Sequence, residues 1–266
     1  MASILEHHHH LRTIERTSDY FRNDPAVESL ILGGSLAHGF STASSDVDVI
    51  MVVSEEEYQQ RLGQGQTCFF SRELCEYQDG YVDGKYISIG LIEEVARRGS
   101  EPSRFAFKDA HLLFSRNSRM PELLRAAAEY PREGKSARLL RFQAQFEAWQ
   151  WYCSEALKKQ NLPLLRIAVA KLTLFGGRIV LTHNELLYPY HKWFMRVLAD
   201  APDQPPRLIE LILSLADNPD ARTLEQFGQT IRTFKGWEVG HATWPAQFMQ
   251  DSELNWLRQD APVDDL

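Results

Sequence analysis

The chain has 266 residues, 44% of them hydrophobic, enough for one large domain or two modest ones with a proper core. Its formal net charge of -7 speaks against a broad nucleic-acid-binding surface, which neutralises phosphates with clustered Lys and Arg. No run of about 18 apolar residues and no apolar leader is present, so a membrane span and export are not expected and a cytoplasmic address is.

Three cysteines, Cys68, Cys75 and Cys153, are odd in number and lack metal-ligand spacing, which argues for thiols in place of a disulfide framework or a zinc site. In chain order, Ser3 to Arg22 reads as a first helix, with Leu5, Leu11, Ile14 and Phe21 roughly on one side and His7 to His10 interrupting it. Successive helical residues point around the axis and do not converge, so the histidine run is not read as a metal site; a purification tag leaves the same pattern. Val27 to Leu32 follows as a buried strand, and Gly33-Gly34 lets the backbone turn tightly and approach a ligand. Ser35 sits where a short helix would start, so its hydroxyl and the amides there suit a phosphate.

The next strand carries Asp46 and Asp48 within Ser45-Asp46-Val47-Asp48-Val49-Ile50. Side chains on a strand alternate, so the two acids project on one face and the valines on the other. Two ionised neighbours repel, whereas a hard divalent cation such as magnesium favours such oxygen ligands. Either half alone also fits an ordinary turn or the solvent face of an edge strand; the order and context together favour a functional site.

Gly34-Ser35-Leu36-Ala37-His38-Gly39, with Ser45-Asp46-Val47-Asp48 shortly after, resembles the signature of the DNA polymerase beta-like nucleotidyltransferase superfamily, especially its small stand-alone and antibiotic-modifying branches. Many members have basic residues where this chain has Leu36 and His38. The resemblance implies that Asp46 and Asp48 bind metal ions, two Mg2+ by the family's habit, and that Gly33, Gly34, Ser35 and Ser45 line the phosphates of a nucleoside triphosphate, ATP by default. It also implies a third carboxylate on an adjacent strand, as metal ligand or as base toward the acceptor hydroxyl.

Ser54-Glu55-Glu56-Glu57 has the form of a capped helix start. Thr67 to Tyr77 fits a strand or a short helix, and Gly80 to Ile89, rich in aromatic and β-branched residues, fits a strand. Asp83 in that strand is the candidate third carboxylate; preceding Gly84, it equally suits a hairpin turn. Lys85, on the same face as Asp83 if the strand continues, could steady a phosphate or pair with Asp83. Glu93 to Arg98 reads as a short helix and His111 to Phe114 as a last strand.

A composition shift near Asn117 to Pro121 places a domain boundary, giving a catalytic domain over 1–118 and a helical domain over 119–266 that closes a cleft on it. Apolar stripes predict helices over Ser136–Lys159 and from Pro163 to about Thr182. Lys171 and Arg178 lie two turns apart on the second, on nearly one face, and are candidates to reach phosphate oxygens in the cleft; the Gly176-Gly177 pair between them is tolerable where a neighbouring element or ligand comes close. His183 to Phe194 is a polar and aromatic connection containing Lys192, a further candidate for the nucleotide, or simply a link with Trp193 and Phe194 in the core. Helices over Arg207–Asp217 and Ala221–Phe234 follow, and a tail through Trp237, Trp244, Trp256 and Asp264 wraps the helical domain. The expected class is α/β (α+β), a small mixed nucleotidyltransferase sheet with flanking helices followed by an all-α bundle. The expected reaction is transfer of a nucleoside monophosphate to a hydroxyl of a small molecule. Modification of a protein hydroxyl, as in antitoxin-like relatives, and a non-catalytic nucleotide-binding module are the rivals.

Overall fold

The computed structural model describes residues 7–235 and 243–257. Leu5, Trp237 and Asp264, named above, lie outside the described residues. The first of two compact units, ending at Tyr130, is built on α1 (His8–Arg22), β1 (Val27–Leu32), α2 (Gly34–Ala37), β2 (Val47–Val53), α3 (Glu55–Gly63), β3 (Cys68–Ser71), β4 (Val82–Ser88), α4 (Ile89–Arg98), α5 (Glu101–Phe105), β5 (His111–Ser115) and α6 (Met120–Ala127). The histidines do not interrupt α1: His7 stands at its N-cap position and His8 to His10 form its first turn.

The five strands lie in the order β3-β4-β2-β1-β5, with β2 and β4 parallel and the other neighbours antiparallel. The segment 67–77, open between strand and helix in the sequence, thus supplies the edge strand β3. Strand alternation sorts the core into two layers. Val49, Met51, Val53 and Val82 pack with Ile14 and Phe21 of α1, whereas Ile50, Val52 and Ile87 pack with Ile92 and Val95 of α4 and with Met120 and Leu124 of α6. Covered on both faces, β2 is apolar except at Asp48, whereas β4 carries Asp83 and Lys85 where its face opens. Ser54 caps α3, accepting a hydrogen bond from Glu57 N, as its sequence predicts.

The second unit, from Pro131, contains α7 (Lys135–Lys158), α8 (Leu162–His183), α9 (Phe194–Ala199), α10 (Leu208–Asp217), α11 (Ala221–Thr233), α12 (Trp244–Asp251) and a 3-10 turn at Asn255–Leu257. Pro163 sits in the first turn of α8, where its missing N–H costs nothing. The neighbours that Gly176 and Gly177 admit are aromatic: Phe227 of α11 and Phe194 of α9 occupy the space a side chain would take. Among the described residues, no helix is long and apolar enough to cross a membrane.

Candidate active site

The site forms where β1 ends and β2 begins. Gly33 N donates to Asp48 O at 2.9 Å, clipping the turn after β1 to the start of β2. Gly34 then takes φ +61°, and a Cβ there would overlap the Asp48 carboxylate. Glycine is required at this position twice over, by its left-handed backbone and by the acid lying against it. Gly33 meets neither condition, since a Cβ on it would be 3.9 Å from its nearest neighbour. Ser35, on α2, is buried, and its Oγ has no hydrogen-bond partner among the described residues. A buried hydroxyl without a partner forfeits about 1–3 kcal/mol of hydration, which a ligand oxygen would restore.

Asp48 and Asp83 stand side by side, because the parallel register of β2 and β4 pairs them directly, followed by Ile50 with Lys85 and Val52 with Ile87. Asp83 is therefore a strand residue; its hairpin alternative does not hold, since β4 runs unbroken through Gly84. The closeness of the two strands at Gly84, where a Cβ would come within 2.9 Å of Val49, explains that glycine instead. Asp46 lies just before β2, with Tyr81 close enough for its phenol to feel hydrogen bonding and charge from the Asp46 carboxylate. That hydrogen bonding, then the charge of Asp46 and more weakly those of Asp48 and Asp83, raises Tyr81 above the ordinary phenol range. One phenol thus senses all three carboxylates, so negative potential is concentrated at this end of the sheet.

The segment leading into Asp46 is held from two sides. Tyr77 Oη donates to Ser45 O at 2.7 Å, and His10 Nε2 lies 2.9 Å from the same carbonyl. His9 Nε2 reaches Ala43 O at 2.9 Å. Burial, then the neighbouring His9, holds His10 below the ordinary imidazole range, which keeps it neutral with the Nε2 proton available to the carbonyl. Ser45 Oγ turns back to accept from Thr42 N at 2.9 Å. Leu36 points into the core and His38 packs its ring on Phe105, centroids 4.4 Å apart, beside Asp109.

The structure therefore brings together Asp46, Asp48, Asp83, Gly34 and Ser35, with Gly33 and Ser45 in the connecting backbone. Lys85 is exposed on the Asp83 face of β4. The other three candidates belong to the second unit. Arg178 has its guanidinium 4.3 Å from the ring centroids of both Phe142 and Tyr188, Lys192 lies 5.1 Å over Trp193, and Lys171 is exposed on α8. Sequence reasoning missed Tyr77, Tyr81 and His10. Tyr77 and His10 act across more than thirty residues on a backbone carbonyl, and no spacing rule signals that.

Among the described residues, no group of three or more His, Cys, Asp or Glu side chains is gathered so as to hold a metal ion. The donor set at the sheet end nonetheless fits magnesium in kind: carboxylate oxygens from adjacent strands, with no thiol or imidazole among them.

Residues 14–98 match the model of the nucleotidyltransferase domain family. No curated protein matches the chain. A nucleotidyltransferase-like protein from Exiguobacterium sibiricum 255-15 superposes with a TM-score of 0.46 at 10% identity, over 95% of this chain and 81% of that one.

Proposed function

With residues 14–98 a nucleotidyltransferase domain of the polymerase beta-like superfamily, we propose that the protein transfers a nucleoside monophosphate, AMP from ATP, to a hydroxyl of a small molecule. The observation that carries this reading is the pairing of Asp48 with Asp83 on parallel strands, beside a Gly34 over which the Asp48 carboxylate lies and a buried Ser35 hydroxyl with no partner among the described residues.

In this reading the paired Asp48 and Asp83, with Asp46 just ahead of β2, would hold magnesium, which would supply charge neutralisation for the triphosphate and for the displacement at phosphorus. The Gly33-Gly34 turn brings backbone close to the phosphates, and Ser35 Oγ donates to one of their oxygens. Asp83, the most exposed of the three acids, takes the proton of the acceptor hydroxyl as its oxygen attacks the α-phosphorus. The bond from that phosphorus to the bridging oxygen breaks, and pyrophosphate leaves with the electron pair. Tyr81 holds the Asp46 carboxylate in orientation, and Lys85 offsets charge on the departing phosphates.

The experiment supplies the purified protein with magnesium, ATP labelled at the α-phosphate and a cell lysate. Label appearing in small molecules is the expected result; label in macromolecules would move the assignment to protein modification. An Asp48→Asn variant should lose about a hundredfold or more of the rate. Calorimetry separates catalysis from sensing: ATP binding that ignores both magnesium and the Asp48→Asn change would leave only a nucleotide-binding module.

A further inference from the structure

The helical unit holds a pocket of about 530 Å³ bounded by α8, α9, α10 and the segment before α9. That volume lies within the range of about 300–1,000 Å³ typical of small-molecule sites. Its floor is apolar: Val169, Phe194, Ile212 and Leu215 are all buried. The one hydroxyl there, Thr173 Oγ1, is committed to the backbone, donating to Val169 O at 2.9 Å with Ala170 O at 3.1 Å. The floor accordingly offers shape and apolar surface, with little to bind a polar body.

The rim differs. Arg166 and Lys171 both line the pocket, and among the described residues neither is ion-paired. His191 closes another side, its Nδ1 held 2.9 Å from the Tyr188 hydroxyl. Among the described residues no Asp or Glu lines the pocket, and the nearby Asp220 is spent capping α11, accepting from Thr223 N at 2.8 Å. The C-terminal end of α10 contributes roughly half a negative charge, and Asp217 and Asp220 adjoin Ala216 and Pro219 without lining the pocket, so the full charges on the lining itself are the two cations. An apolar cup with a cationic edge selects a ligand of the same two parts.

We propose that this pocket binds a small amphipathic anion, a compact aromatic or aliphatic body ending in a carboxylate, sulfonate or phosphate. Such a ligand lays its body on Phe194, Ile212 and Leu215 and its charge between Arg166 and Lys171. The site is lined by the helical unit alone and uses none of the carboxylates of the sheet, so it stands independently of the transfer reaction proposed above.

The test uses the full chain in metal-free, nucleotide-free buffer. Anilinonaphthalene sulfonate serves as fluorescent probe, displaced in turn by octanoate and by octylamine, which share a body and differ in the sign of the head. Saturable probe binding is expected, with octanoate displacing it at least about tenfold more effectively than octylamine. Ala170→Trp, from the exposed wall of α8, should abolish probe binding by filling the cup, and Ala216→Trp should do so from α10; circular dichroism checks that each folds. The Arg166→Gln/Lys171→Gln pair should weaken both the sulfonate probe and octanoate about tenfold, the scale of two exposed charge pairs, and leave octylamine no weaker. Equal displacement by both heads, or probe binding that survives both tryptophan variants in folded protein, overturns the proposal.

Discussion

Gly34 concentrates the demands on this chain at one residue. Its φ of +61° costs most side chains about 1–3 kcal/mol, and the added methyl would also have to expel the Asp48 carboxylate from the position it occupies. Gly34→Ala is therefore expected to lower stability by that order and to cut transfer far more than its stability loss explains, since Asp48 has nowhere else to sit without moving β2. Thermal melts and steady-state rates measured on one preparation check this; a folded variant with the parent rate would refute the assignment of Asp48. Tyr77 makes the opposite case, a residue acting through a backbone atom. Ser45 O keeps His10 as a partner when the phenol is removed, so Tyr77→Phe leaves no orphaned carbonyl and should cost only about 1 kcal/mol. Denaturant titration reads that cost.

At the scale of elements, α8 poses a contest of magnitudes. Replacing Gly177 by Ala gains about 1 kcal/mol of helix propensity, but the new Cβ would run into the Phe194 ring, and overpacking of that kind costs about 1–3 kcal/mol. Packing wins, so Gly177→Ala should lower the denaturation midpoint, whereas an added methyl at the exposed Ala170 side of the same helix should not. On α4, Glu94 bonds to Arg97 and Arg98, and these bonds hold its carboxyl down to about 2 from an ordinary 4.5. A depressed carboxylate contributes stability that is complete above its unfolded value and fades as pH falls from there through about 2. Glu94→Gln should lower stability slightly at neutral pH, where the contribution is complete, flatten the acid limb of a stability-against-pH curve between those values, and change nothing below about 2; the pair is half-exposed, so the effect is small. These cases also locate what is legible in sequence. The Ser54 cap and the Pro163 start of α8 are local, fixed by residues within a turn or two, and each could be read directly; of the two acids expected on one strand, Asp48 is in β2 and Asp46 lies just before it. The edge strand at 68–71 was ambiguous because its apolar run is too short to show a period. The pairing of Asp83 with Asp48, and the Tyr77 and His10 anchors on Ser45, depend on which strands and loops become neighbours, which no local pattern encodes.

For the whole molecule, the net charge of -7 and the carboxylates at the sheet end act in the same direction: a bare polyanion is repelled, and under the proposed function a divalent cation that offsets the charge of the triphosphate relieves that repulsion. The chain divides into two units with cores of their own, so its unfolding need not be a single transition, and a ligand stabilises the transition of the unit that holds it. A ligand at a hundred times its Kd adds about 2.7 kcal/mol, several degrees for a protein of this size. Calorimetric scans with magnesium and ATP together should therefore raise one transition, while ATP alone leaves it in place. Asp48→Asn should erase the shift without lowering the unliganded transition much, because removing one of several like charges relieves repulsion as it deletes the ligand oxygen. An equal shift with and without magnesium would place the nucleotide away from the acids. Full retention of the shift in Asp48→Asn would do the same, and either result would detach the Gly34-Ser35 turn from the chemistry assigned to it.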